Sequence, residues 1–173
     1  MERQRSGALA SSLKPHGVTG VMLDDVIDEW YLYVFAHPIN SHDDILPHLD
    51  GYLPDDVNKK LLEKISAWGE EGGDPLKLFG EVLGTGQVRL PARIFARDMI
   101  KHGFSVLRYT MKWTPENVRP CGYVTHGTDR VLWVLRKPNL NSKDWITAKE
   151  WVEVAHGQLK NENGVKMTEL CLL

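Results

Sequence analysis

The sequence predicts an α/β fold. Two apolar runs rich in β-branched and aromatic residues, 18–23 and 104–113, read as buried strands. Between them lie several segments with apolar residues at helical spacing, and a two-stranded sheet is too small to cover so many helices. The expectation is therefore the C-terminal part of a larger sheet with its covering helices, its N-terminal strands missing. The two strands should lie side by side and parallel, joined through the helices between them.

Residues 1–17 are small and polar apart from a few aliphatics, and read as a flexible lead-in to a single portion spanning 18–173. The first strand, 18–23, is bounded by Gly17 and by Asp24-Asp25. Residues 28–35 are aromatic and could open a helix behind Asp28. Pro38 and Asn40 mark a loop, after which Ser41 can cap a short helix with Asp43 and Asp44 in its first turn. The clearest helix is 55–68: Pro54 and two aspartates open it, and Val57, Leu61, Leu62 and Ile65 recur on one face. A Gly72-Gly73 loop follows. Residues 76–83 form a shorter helix ended by Gly84, and Gly84-Thr-Gly-Gln reads as a turn. An amphipathic helix over 90–102 is stopped by Gly103, placed as a C′ glycine. After the second strand, Pro115 and Pro120 punctuate a loop that leads to His126. The compact apolar run 131–135 follows, and 145–159 reads as a C-terminal helix.

Composition narrows the classes. Apolar residues make up 42 % and charged residues 25 %, the mix of an ordinary globular chain. The net charge of -2 supplies no global field for nucleic acid or an anionic surface. No run of roughly 18 apolar residues could span a bilayer. Met-Glu-Arg-Gln-Arg-Ser at the start has no apolar stretch behind it and does not read as a secretory signal. Two cysteines, Cys121 and Cys171, make neither a disulfide framework nor a metal spacing, and fit a reducing, cytoplasmic setting. The His37, His42, Asp43, Asp44, His48 group matches no zinc pattern and reads as a polar surface. The six tryptophans, Trp68 among them, read as core filling. No cofactor or metal is expected. Oligomeric state is not legible.

Two segments carry chemistry. Beyond the second strand comes Gly122-Tyr-Val-Thr-His126-Gly127-Thr-Asp129, a loop histidine beside a glycine that lets another group come close. Taken alone, His126 reads as a loop histidine bonded to a backbone carbonyl. Beyond the first strand comes Asp24-Asp25-Val-Ile-Asp28-Glu29-Trp30, a carboxylate cluster with apolar flanks. A carboxylate turned inward there needs a partner, and an imidazole N–H is a natural one.

Together these segments resemble the type-B carboxylesterases, the family of cholinesterases and fungal lipases. That family carries its catalytic histidine in a Gly-x-x-His-Gly-x-[Asp/Glu] loop. Here the loop has one extra residue ahead of His126. Its acid follows a strand in an Asp-Glu-Gly or Asn-Glu-Gly segment, where this chain has Asp28-Glu29-Trp30. Val88-Arg-Leu-Pro-Ala-Arg-Ile-Phe-Ala96 and Arg108-Tyr109 are similar to the family's last helix–strand step. Arg119-Pro120 and Thr125-His-Gly-Thr-Asp-Arg130 look closest to fungal members. The resemblance covers about residues 18–138.

It implies the C-terminal part of an α/β-hydrolase sheet, with His126 as triad base and Glu29 as triad acid. Asp24, Asp25 and Asp28 stay rivals for the acid role. The nucleophile's Gly-x-Ser-x-Gly does not occur in the chain, nor does a glycine-rich oxyanion loop. The implied function is that of a carboxylic-ester hydrolase fragment, inactive alone, whose parent would take a carboxylic ester. The other reading is a non-catalytic truncated paralogue, or a binding module with this fold.

Overall fold

The computed structural model describes residues 2–18, 20–67, 73–161 and 167–172, with only the backbone path for 66, 159–161 and 167–172. Trp68 and Gly72, used in the sequence reading, lie outside the described residues.

Two short helices, α1 (Glu2–Arg5) and α2 (Ala8–Leu13), lead through a 3-10 turn into strand β1 (Gly20–Val26). Next come α3 (Tyr31–Val34), α4 (Ile45–Leu49), α5 (Asp55–Ser66) and α6 (Pro75–Gly84), then α7 (Leu90–Lys101) and β2 (Ser105–Met111). A loop with two 3-10 turns leads to α8 (Arg130–Trp133), α9 (Ser142–Asn161) and β3 (Met167–Leu172). The chain divides into two compact units, residues 1–27 with 92–173, and residues 28–91.

In the first unit the sheet is parallel, in the order β1-β2-β3. Gly20 pairs with Ser105 and Val26 with Met111, and the Ile27 N–H continues the ladder to the Met111 carbonyl at 3.0 Å. The expected parallel pair is present, although β1 ends three residues later than the apolar run suggested. The third strand was not foreseen. Helices cover both faces of β2. Val106 packs with Ala10, Ala96, Met99 and Phe104, while Tyr109 and Met111 pack with Leu132, Ala148, Trp151 and Ala155. This is the layering of an α/β fold, because successive strand side chains alternate between faces and each face needs its own cover.

Caps explain the helix ends. The Asn141 side chain accepts the Lys143 and Asp144 N–H groups at 2.9 Å each, which starts α9. At the end of α7, Gly103 takes φ 79°, its N–H reaches the Ile100 carbonyl, and the Phe104 N–H reaches that of Met99. This is the 6→1 and 5→2 pair of a Schellman motif, and glycine there bears no steric cost. The described residues of the lead-in 1–17 are largely helical, and Ala10 is buried in the core.

The second unit gathers Ile39, Ile45, Leu49, Leu61, Phe79, Val82 and Leu83 into one core. Gly80 lets α6 approach α3 closely: a Cβ there would lie 2.3 Å from the Trp30 carbonyl oxygen. The predicted turn at Gly84-Thr-Gly-Gln is helical instead, a π-helical stretch Thr85–Arg89 running into α7. The ladder shifts just ahead of Pro91, which has no N–H to donate.

Candidate functional site

His126 sits on a four-residue turn. The Thr128 N–H donates to the Thr125 carbonyl at 3.0 Å, and the Thr128 hydroxyl donates to the same oxygen at 2.6 Å. Gly127 has φ 76° while His126 does not enter the left-handed region, the pattern of a type II turn that wants glycine third. The turn is rooted on both sides, with Val124, Thr125, Thr128 and Asp129 buried, while the His126 side chain is exposed. A histidine held this way keeps its ring at the surface on a fixed backbone. The Thr125 hydroxyl oxygen is buried and has no hydrogen-bond partner among the described residues.

Upstream, the loop leaves β2 through Trp113 and the fully buried Thr114, whose hydroxyl accepts from Arg119 Nε at 3.4 Å. Cys121 is exposed and takes φ 49° between Pro120 and Gly122. A groove of ≈ 930 Å³ opens nearby, lined by residues including Trp113, Asn117, Leu140, Asn141 and Asp144. His126 is not among its lining residues, so this groove is no guide to the histidine's chemistry.

Glu29 belongs to the second unit and His126 to the first. Glu29 is 2 % exposed, a buried carboxylate just beyond the end of β1. A Cβ on Gly84 would meet its Cγ at 3.5 Å, ordinary contact. Burial, then the negative charge of Glu29, then Tyr52 push the Tyr33 hydroxyl up to about 12. Of the rival acids, Asp24 and Asp25 lie within β1 rather than after it, and Asp28 directly precedes Glu29.

Four side chains that the sequence reading did not join come together in the first unit. Asp24 stands opposite Tyr109 in the β1–β2 register. The Trp133 indole N–H lies 3.0 Å from the Tyr109 hydroxyl oxygen and 3.1 Å from Asp129 Oδ2, and so is shared between them. Burial first, then the negative charge of Asp24, push the Tyr109 hydroxyl and the Asp129 carboxyl above their ordinary pKa values. The available signals were an aspartate inside an apolar strand and an Asp–Trp pair at i, i+4 spacing.

In the second unit His37 Nε2 lies 2.6 Å from the Tyr52 hydroxyl, and its ring meets those of His48, Tyr52 and Phe79. Among the described residues no group of three or more His, Cys, Asp or Glu could hold a metal ion, and no helix is long and apolar enough to cross a membrane. No protein-family model, curated protein or solved structure matches the chain.

Proposed function

We propose that this chain carries the acid and base of a carboxylic-ester hydrolase of the α/β-hydrolase type, with Glu29 as the acid and His126 as the base, and that the serine nucleophile is supplied outside these residues. The observation that carries the reading is the parallel pairing of β1 with β2. Parallel strands end on the same edge of a sheet, and in α/β folds that carboxyl edge is where sites form. Glu29 follows the end of β1, and the His126 turn follows β2 in the order acid then histidine that the fold uses. The rooted turn and the buried carboxylate suit those two roles.

In the reaction, a serine oxygen attacks the ester carbonyl while His126 takes its proton. His126 then returns a proton to the leaving alcohol, and water repeats the cycle on the acyl-enzyme. The carboxylate of Glu29 fixes the imidazole tautomer and stabilises the imidazolium as it forms. Without a serine and an oxyanion hole, most of that rate is lost. Hydrolysis of p-nitrophenyl butyrate tests this: the chain alone should turn over no faster than its Glu29→Gln and His126→Ala variants. Saturable hydrolysis that disappears in His126→Ala would overturn the incomplete-triad reading.

A further inference from the structure

We propose that the groove beyond the end of β2 binds a neutral carbohydrate, with a pyranose ring stacked on Trp113 and its hydroxyls held by Glu116, Asn117 and Asp144. The inference stands apart from ester hydrolysis and holds whether or not His126 is a catalytic base.

Local sequence builds the groove. β2 ends at Met111, and Trp113 stands two residues further on, at the carboxyl edge where α/β sheets receive their ligands. Trp113 packs against the core of the first unit and also lines the groove, so its ring is anchored before any ligand arrives. Pro115 opens the 3-10 turn Glu116–Val118, and Lys137–Asn139 forms another. The Asn117 side-chain amide donates to the Asn139 carbonyl at 3.2 Å and ties the two turns together. Asn141 and Asp144 add the start of α9 to the lining.

Several polar groups of the lining are uncommitted. Among the described residues, no hydrogen bond or ion pair engages the side chains of Glu116, Lys143 or Asp144, and Asn117 uses only its amide nitrogen. A carboxylate can accept at both oxygens, and the Asn117 carbonyl oxygen at two lone pairs, so the groove presents mainly acceptors.

This chemistry selects the ligand. The volume of ≈ 930 Å³ lies within the roughly 300–1,000 Å³ of small-molecule sites. Sites for apolar ligands are lined mainly by hydrophobic and aromatic side chains, whereas here Trp113, Pro138 and Leu140 are outnumbered by polar residues. An anion is disfavoured on two counts. The carboxylates of Glu116 and Asp144 oppose the single ammonium of Lys143, and the Lys143 and Asp144 N–H groups at the start of α9 already donate to Asn141 at 2.9 Å each. A neutral polyhydroxylated ring suits both kinds of surface. The C–H bonds on one face of a pyranose are weakly positive and meet the negative face of an indole. Its hydroxyls donate to carboxylates in charge-assisted bonds, the stronger kind.

NMR titration of the nitrogen-15-labelled full chain tests this, with cellobiose, maltose, lactose, mannobiose, xylobiose and diacetylchitobiose as probes. At about 20 mM sugar, a site with a Kd of about 1 mM is nearly full. At least one sugar should move the Trp113 indole N–H and the amides of residues 116, 117 and 144 together, with an affinity that ignores salt, since the ligand is uncharged. Trp113→Ala should abolish the response, but that ring also packs on the core. Asp144→Ala is therefore the sharper variant: its carboxylate has no partner among the described residues, and its loss should weaken binding about tenfold. Silence of these signals toward all six sugars, shifts confined to other residues, an affinity indifferent to Asp144→Ala, or tighter binding of inorganic phosphate at the same signals would each overturn the proposal.

Discussion

Replacing Gly80 by alanine probes the tightest helix contact in the second unit. The new Cβ would stand 2.3 Å from the Trp30 carbonyl oxygen and 3.0 Å from its carbon, far inside the roughly 3.5–4.0 Å of favourable contact. The obstacle is backbone and cannot swing aside. That carbonyl also accepts the Tyr33 N–H at 3.2 Å, so moving it gives up a hydrogen bond of α3. Overpacking of this kind costs about 1–3 kcal/mol. Alanine regains roughly 0.5–1 kcal/mol over glycine in a helix. With the clash at the top of its range, the net loss is about 2 kcal/mol. Two other glycines calibrate the result. Among the described residues, the Cβ at Gly84 meets nothing closer than 3.5 Å, and at Gly157 nothing lies within 4 Å. Alanine at either should be neutral or stabilise by up to roughly 1 kcal/mol. Urea unfolding followed by far-UV circular dichroism ranks the three. If Gly80→Ala is as stable as Gly157→Ala, α6 does not approach α3 as described.

Two further perturbations address the same unit. Asn58 is buried and donates to the Leu49 and Leu53 carbonyls at 3.2 and 3.0 Å, so Asn58→Ala should cost about 1–3 kcal/mol in urea unfolding, and an unchanged midpoint would contradict those bonds. Burial, then the neighbouring His48, lowers the His37 pKa below 6.5, so the unfolded chain binds that proton more readily than the fold does. His37 therefore withdraws stability as pH falls below 6.5, and His37→Gln should flatten that part of the stability profile; an identical slope in the variant would refute the assignment.

The parallel pair β1–β2 was legible because buried strands leave continuous apolar runs. The end of β1 was not, because Asp24 and Asp25 look like a boundary although the strand continues to Val26. Asp24 stays in the ladder opposite Tyr109, 85 positions away in sequence, which no local pattern reveals. Residues 167–172, Met-Thr-Glu-Leu-Cys-Leu, are few and mixed in polarity, and their pairing with β2 is what makes them a strand. Ala8–Leu13 contains little that marks a buried face, yet Ala10 is core, because a small residue is buried by what packs on it. Gly84 and Gly86 read as turn residues, but the helical run passes through both with a shift to π pairing. At the candidate site, Gly127 was readable for what it does, since a turn with a positive φ in third place calls for glycine. The grouping of Asp24, Tyr109, Asp129 and Trp133 was hidden because its members come from two strands, from α8 and from the turn ahead of it.

The proposal that Glu29 acts as the acid for His126 is tested most directly by the tautomer of the neutral imidazole. Nitrogen-15 shifts of the His126 ring report which nitrogen carries the proton, and a carboxylate partner fixes that choice by accepting from one of them. With Glu29 in that role, wild-type His126 at alkaline pH should favour the tautomer with its proton on Nδ1, and Glu29→Gln should shift the ring toward the other form. Identical ring shifts in wild type and Glu29→Gln would contradict the assignment of Glu29 as the acid.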